Sequence, residues 1–274
     1  MVLFPNCKIN LGLHIVGKRP DGFHDLETIF YPLPLYDALE LVHSKDGATT
    51  LQVTGITIDA HAEDNICIKA YRLIQQTHQI PPVQIHLHKN IPSGAGLGGG
   101  SADGAFMLQL LNKKFALGLS NEQLMGLSLQ LGSDCPFFIY NQPCFAQGRG
   151  ERLQPVTLDL SAYAIVLVNP KIHINTGWAF AQLQPDRQHS NLLQVAQQPI
   201  GYWKTDMTND FEPPVFAAYP EIAKIKETLY DAGAAYASLT GTGSTVFALF
   251  DKNTTPAFHF PQHYFVQILL HAEG

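Results

Sequence analysis

Charge is scarce in this chain. Of its 274 residues only 15% are Asp, Glu, Lys or Arg, and 17 basic residues stand against 23 acidic ones, a formal net charge of −6. No run of Lys or Arg occurs, so nothing draws the molecule as a whole to nucleic acid or an anionic membrane; an anionic ligand has to be held by local groups. Cysteine is scarcer still. Cys7, Cys67, Cys135 and Cys144 show neither paired nor metal-type spacing, which speaks against a disulfide framework or zinc site and for free thiols in a reducing compartment. No apolar run approaches the roughly 18 residues that span a bilayer, and the first residues lack the charged-then-apolar order of a secretory leader. The expectation is a cytoplasmic protein that works without membrane, nucleic acid or an obligate protein partner. Internal repeats and low-complexity segments are absent too. At 46% hydrophobic residues, a chain of this length buries a sizeable core, in one large domain or two smaller ones.

Glycine, by contrast, is concentrated. Gly94, Gly96, Gly98, Gly99 and Gly100 fall within seven residues, between an extended segment (Val83–Lys89) and a helical one (102–111). Glycine accepts positive φ and lets backbone N–H groups converge on a ligand. Feeding such a loop into a helix presents unpaired N–H groups and the positive end of the helix dipole to an anion, most simply a phosphate. A bare strand-to-helix turn needs one or two glycines, and Ser101 adds a hydroxyl at the helix start.

Elsewhere the pattern predicts alternating strands and helices. Residues 3–16 alternate with period two: Cys7, Ile9, Leu11 and Leu13 on one face, Asn6, Lys8, Asn10 and His14 on the other. A wet strand face and a functional Lys8 are both open readings. Asp21-Gly22 marks a hairpin turn, leading to Phe23, His24 and a strand over 26–33; by themselves the two rings read as packing. Strands are expected at 39–43, 49–58 and 83–89, with a helix over 65–77 capped by Asp64. His86 and His88 share a strand face that reads as solvated, with no third metal ligand nearby. A helix over 121–131, capped by Ser120 and stopped by Gly132, precedes Asp134, which reads as a turn residue before a short apolar strand over 137–140. Residues 147–152 read as a polar connection between two halves. The second half shows a strand over 163–169, a short helix capped by Thr176, helices over 215–219 and 222–232, and strands over 234–239, 246–250 and 264–270. Thr240 to Thr245 form a second glycine and hydroxyl loop, which suggests a second domain closing over the phosphates.

The Walker pattern and the protein-kinase motifs are missing. Gly94-x-Gly96-x-x-Gly99 fits the dinucleotide fingerprint, but the strand and acidic residue that fingerprint needs downstream do not follow. The segment 92–102 (PSGAGLGGGSA) instead resembles the phosphate loop of the GHMP kinase superfamily. Six blocks in order, PNCKINL (5–11), DGFH (21–24), GLGGGSAD (96–103), GSDCPFF (132–138), NDFE (209–212) and TGTGST (240–245), narrow the resemblance to the 4-diphosphocytidyl-2-C-methyl-D-erythritol kinases of the non-mevalonate isoprenoid route.

That resemblance implies an α+β, two-domain GHMP kinase fold, with an N-terminal domain over 1–155, a C-terminal α+β domain over 156–274 and the active site in the cleft between them. It implies ATP-dependent phosphorylation of the 2-hydroxyl of the cytidyl substrate. Lys8 and Asp134 match the catalytic pair and Asn10 the asparagine beside them. Asp134 would orient or accept the hydroxyl proton, while Lys8 would stabilise charge on the transferring group. Pro92, Gly94, Gly96, Leu97, Gly98, Gly99, Gly100 and Ser101 would hold the ATP phosphates with bridging Mg²⁺, Ser101 touching the metal, and Asn65 and Lys89 would lie on the nucleotide side. Phe23 and Phe180 would stack the cytosine and His24 bond its edge, with Thr176, Gly241, Thr242 and Gly243 on the substrate side.

The chain departs from the family pattern in four places. Ala102 stands where many members carry a second serine, Gly104 where they carry alanine, Phe23 where they carry tyrosine, and Asn6 where a small residue is common. None removes a proposed catalytic group, so an active enzyme is expected. Another GHMP small-molecule kinase and a non-catalytic nucleotide binder are the alternatives.

Overall fold

The computed structural model describes residues 1–57, 61–183 and 189–270. The first half runs β1 (Val2–Leu3), β2 (Asn6–Lys18), β3 (His24–Tyr36), β4 (Ala38–His43), β5 (Thr50–Gly55), α1 (Ile66–Gln75), β6 (Val83–Lys89), α2 (Gly99–Lys114), α3 (Asn121–Leu129) and α4 (Cys135–Tyr140). It continues through β7 (Cys144–Gly148), β8 (Arg152–Pro155), β9 (Tyr163–Asn169), α5 (Thr176–Ala181), α6 (Leu192–Ala196), α7 (Trp203–Asp206), α8 (Glu212–Ala218), α9 (Pro220–Asp231), β10 (Tyr236–Leu239), β11 (Val246–Asp251) and β12 (Phe265–Leu269). These residues form two compact units that interleave along the chain. One holds Met1–Cys7, Leu35–Ser93 and Gly98–Asn141, the other Lys8–Pro34, Gly94–Leu97 and Gln142–Gly274.

The first unit is built on a sheet of order β1-β4-β6-β5, in which β6 pairs antiparallel with β4 and parallel with β5. The parallel step needs a crossover, which α1 supplies. On β6, Val83, Ile85, Leu87 and Lys89 face the core in strict alternation. Helix α2 is buried on nearly all sides, by Ala102, Gly104, Ala105, Met107, Leu108 and Leu111 among others, and packs on α1 and α4. Gly104 lets α1 approach, since a Cβ there would lie 2.7 Å from Ile66 Cγ1. The departure to glycine at 104 is thus matched by a bulky Ile66.

Three expectations change in this unit. Asn65 caps α1, its Oδ1 accepting from Cys67 N at 2.9 Å, while Asp64 ends a short 3-10 turn. The apolar run at 137–140 is helix α4, not a strand: Pro136 stands in its first turn, where a missing N–H costs nothing, and Asn141 closes it in the left-handed region. The strand expected over 49–58 is β5, and Ile58 lies outside the described residues. Ser120 caps α3 as expected, within a full capping box with Gln123.

The second unit holds a sheet of order β2-β3-β7-β8 and another of order β10-β11-β9-β12. In place of the expected connection at 147–152, β7 and β8 pair as an antiparallel hairpin, Gln147 opposite Arg152. Strand β2 is buried on both faces from Asn6 to His14, so its polar face is not solvated. Helix α9 sets Ile222, Ile225 and Leu229 on one stripe, and these join Val166, Phe211, Val215 and Leu239 in one apolar core. Asn175, not Thr176, caps α5, by accepting from Trp178 N at 2.9 Å.

Candidate active site

Lys8 is 3% exposed on β2. Its ammonium donates to Asn10 Oδ1 at 2.7 Å and to the Gly96 carbonyl at 3.2 Å, 5.1 Å from the centroid of the Phe30 ring. The orientation of Asn10 is fixed by elimination. The single hydroxyl proton of Thr28 goes to Gly12 O at 2.5 Å, so Thr28 Oγ1 must accept from Asn10 Nδ2 at 3.0 Å, which turns Asn10 Oδ1 toward Lys8. Thr240 completes the node: its Oγ1 accepts from Asn10 N at 3.1 Å and lies 3.0 Å from Gly96 O. Thr28 and Thr240 carry no catalytic signal of their own in the sequence. They emerge as the groups that aim Asn10 and Lys8.

In the glycine loop, Gly94, Gly96 and Gly98 have φ of 64°, 79° and 71°. Gly96 is the tightest, because a Cβ would fall 1.9 Å from Thr240 O. Gly98 is the last residue before α2, and the first N–H groups of that helix, on Gly99, Gly100 and Ser101, have no intrahelical acceptor by construction. Around Gly100 there is open space where a side chain would begin. Ser101 and Cys135 are hydrogen-bonded through their side chains, and burial above all pushes the Cys135 thiol up to about 12. Pro92 is half-buried and Leu97 buried.

Asp134 stands in the first unit, immediately before α4, with helical backbone angles. Lys8 and Asn10 belong to the second. Of the two nucleotide-side residues, Asn65 spends its carbonyl oxygen on capping α1. Lys89 is 1% exposed, and its ammonium binds Asp37 Oδ2 and, at 2.7 Å, Asp103 Oδ2. Burial works against its charge, but the two carboxylates outweigh that and raise its pKa. Two of its three protons are spent on carboxylates and the ammonium is buried, so in this arrangement it braces the loop. Asp37 escaped the sequence reading altogether.

Of the three expected rings, two are brought together, His24 and Phe180. His24 stacks on Phe180 with ring centroids 4.9 Å apart and 23° between planes, and Phe180 meets Phe211 edge-on. A base between two rings needs about twice a stacking distance, so none fits between His24 and Phe180 as they lie. Burial, then the charge of Lys18, lowers the His24 pKa from 6.5, which favours the neutral ring that can both donate and accept. Phe23 is 48% exposed, and Arg149 lies 3.8 Å from its ring centroid. Arg149 is a second residue the sequence reading missed. It is presented by the β7–β8 turn, between Gly148 (φ 71°) and Gly150 (φ 108°), with its N–H held by Glu151 at 2.6 Å.

The second glycine loop is occupied with its own fold. Ser244 donates to Ile172 O at 2.6 Å, and Asn169 Nδ2 donates to Ser244 and Thr245. Asn209 Nδ2 binds the carbonyls of Leu239 and Gly241, and Glu212 accepts from Leu239 N. The NDFE block therefore works as a clasp on β10 and the turn after it. Gly241 and Thr242 remain half-buried at the tip.

Among the described residues no group of three or more His, Cys, Asp or Glu converges as a metal site, and no helix is long and apolar enough to cross a membrane. A magnesium ion carried on phosphates needs only one or two protein oxygens. Ser101 fits that need, since a hydroxyl bonded to a thiol still has a lone pair to offer.

Sequence comparison gives the class, that of the GHMP small-molecule kinases. Residues 65–142 match the family described as GHMP kinases N terminal domain and 192–258 that described as GHMP kinases C terminal. A mevalonate kinase from Methanococcus jannaschii shares the fold at 12% identity, TM-score 0.68, over 91% of this chain and 90% of its own. Closer likenesses narrow the class. A 4-diphosphocytidyl-2-C-methyl-D-erythritol kinase of Bacteroides fragilis strain YCH46 is 52% identical over 91% of this chain and 92% of its own length, and one of Solidesulfovibrio magneticus is 40% identical over 91% and 88%. A crystal structure of 4-(cytidine 5'-diphospho)-2C-methyl-D-erythritol kinase superposes with TM-score 0.78 at 29% identity, over 91% of this chain and 90% of that one. The chain belongs to the 4-diphosphocytidyl-2-C-methyl-D-erythritol kinase family.

Proposed function

We propose that this chain transfers the γ-phosphoryl group of ATP to the 2-hydroxyl of 4-diphosphocytidyl-2-C-methyl-D-erythritol, giving the 2-phosphate and ADP, in the cytoplasmic non-mevalonate route to isoprenoid precursors. The observation that carries it is the Lys8 node: an ammonium buried against the Gly96 carbonyl and aimed by Asn10. In phosphoryl transfer the protein chiefly positions groups and neutralises charge. Lys8 stabilises charge on the transferring group, and Asp134 orients the attacking hydroxyl and takes its proton. The N–H groups of Gly96 to Ser101 hold the phosphates, with Pro92, Gly94 and Leu97 shaping the loop. Mg²⁺, with Ser101 as its protein ligand, would neutralise the phosphate oxygens. Phe23 stacks the cytosine on the face away from Arg149, His24 bonds its edge, and Phe180 moves off His24 to cover the other face. Gly241, Thr242 and Gly243 line the substrate side by backbone, and Thr176 starts the helix that carries Phe180. The two family matches fall on either side of the proposed division at residue 155, whereas the compact units interleave and last change over between Asn141 and Gln142.

ADP release in Mg-ATP, with the cytidyl substrate set against mevalonate, homoserine and galactose, tests the reading. Turnover with the cytidyl alcohol alone is expected. Turnover with another alcohol would keep the mechanism and discard the cytosine site, and ATP binding without turnover on any of the four would discard the catalytic roles.

A further inference from the structure

Asp37 lies between β3 and β4, outside every motif that the sequence offers, and its side chain is fully buried. One of its oxygens, Oδ1, accepts from Asn90 N at 2.6 Å and Ile91 N at 2.9 Å; the other binds the Lys89 ammonium. Three consecutive residues at the start of the glycine loop thus hang on one carboxylate. Lys89 passes the restraint on, through its 2.7 Å bond to Asp103 in the second turn of α2. The far end of the loop is packed against the same brace, since a Cβ on Gly99 would meet Ile91 Cγ2 at 2.8 Å and Lys89 Nζ at 3.5 Å.

This brace is a poor way to gain stability. Two carboxylates and one ammonium are taken out of water together, and a buried ion pair seldom outperforms apolar residues of the same size. Asp103 Oδ1 is left buried with no hydrogen-bond partner. What a buried charged triad does give is direction. It fixes where the chain leaves β6, and the angle at which the first turn of α2 presents its N–H groups. We propose that Asp37 is a positioning residue for ATP, acting through Lys89, Asn90, Ile91 and Asp103 to set the span between Ile91 and Gly99. The inference rests on the reading of that loop as the phosphate site.

The test is steady-state kinetics with Mg-ATP and the cytidyl alcohol, well below each variant's Tm, together with direct titration of Mg-ATP. Asp37→Asn should raise KM for ATP about tenfold, as displaced positioning groups do, and leave KM for the alcohol within twofold. A triple variant, Asp37→Asn with Lys89→Met and Asp103→Asn, removes the buried charge; it should regain Tm and still bind ATP weakly. A purely structural triad would give the opposite pattern, a lowered Tm with both KM values at the parental level, and that overturns the proposal. If Asp37→Asn does not fold, the triple variant alone decides on the same criterion. Absence of Mg-ATP binding in the parent protein would sink the phosphate-site reading itself, whereas equal binding by parent and variants sinks only the role of Asp37.

Discussion

The two glycine loops look alike in composition and differ in what they leave unsatisfied. In the loop over 240–245 the hydroxyls of Thr240, Ser244 and Thr245 are buried and bonded to protein partners. The loop over 92–101 leaves Ser93, Gly94 and Gly100 exposed and ends on helix N–H groups without intrahelical acceptors. The former spends its hydroxyls on its own fold; the latter keeps helix N–H groups for the phosphates proposed above. Glycine content measures how closely backbones can approach, and it does not say whether the approaching group is a ligand or another strand.

The largest effect that separates them is chemical. Lys8→Ala should lower kcat on the order of 10²-fold or more with circular dichroism and Tm near the parent; near-parental turnover in the folded variant ends the catalytic assignment. Gly96→Ala should come next, because it forces a side chain to φ 79° and into the Thr240 carbonyl. We expect a loss of about 2–5 kcal/mol in denaturant unfolding, and a variant as stable as the parent would mean that the two loops are not in contact as described. Thr240→Val should cost about 1–3 kcal/mol by leaving Asn10 N–H unsatisfied, and should depress kcat more than either KM, since that hydroxyl helps aim Asn10.

A pH titration sharpens the contrast. Burial first, and then the nearness of Asp37, push the Asp103 carboxyl from 3.8 up to about 7 against the pull of Lys89. Its contribution to stability is therefore full below pH 3.8 and is lost as pH rises toward 7. Asp103→Asn should flatten that slope in thermal melts, while the loop over 240–245, which holds no titratable side chain, contributes none. The smallest effect is Gly100→Ala, where nothing stands in the way of a Cβ. It should stabilise by about 0.5–1 kcal/mol through helix propensity yet raise KM for ATP in steady-state kinetics.

Strand alternation and cap chemistry were readable where a single period held, as at Ser120 or over 83–89. The run 137–140 was not, because four apolar residues fit a buried strand and one helical turn equally; only Pro136 in the first turn decides it. The fate of Lys89 was on the page: it continues the buried face of Val83, Ile85 and Leu87, and a lysine in that register needs acid partners. Which acids was not readable, since Asp37 lies 52 residues away. Lys8 and Asn10 were legible as an unusual strand face, but the two hydroxyls that orient them come from separate segments, Thr28 and Thr240. Arg149 was hidden in what read as a connection, because the hairpin that presents it depends on pairing with β3.

The interleaving of the two units sets an order on biosynthesis. The first unit possesses all its residues once the ribosome has delivered Asn141, but β2 and β3 belong mainly to the second and wait for β7, whose Cys144 pairs with Phe30. Between the end of β3 at Tyr36 and the start of β7 at Cys144, that wait is on the order of ten seconds at translation rates. During it, the hairpin of β2 and β3 has no partner strand, and its β2, destined to be buried on both faces from Asn6 to His14, carries Lys8 and Asn10. Nascent chains arrested soon after Asn141 emerges should show proteolytic cutting confined to residues 8–34, while uniform cutting would mean that neither unit forms before the other.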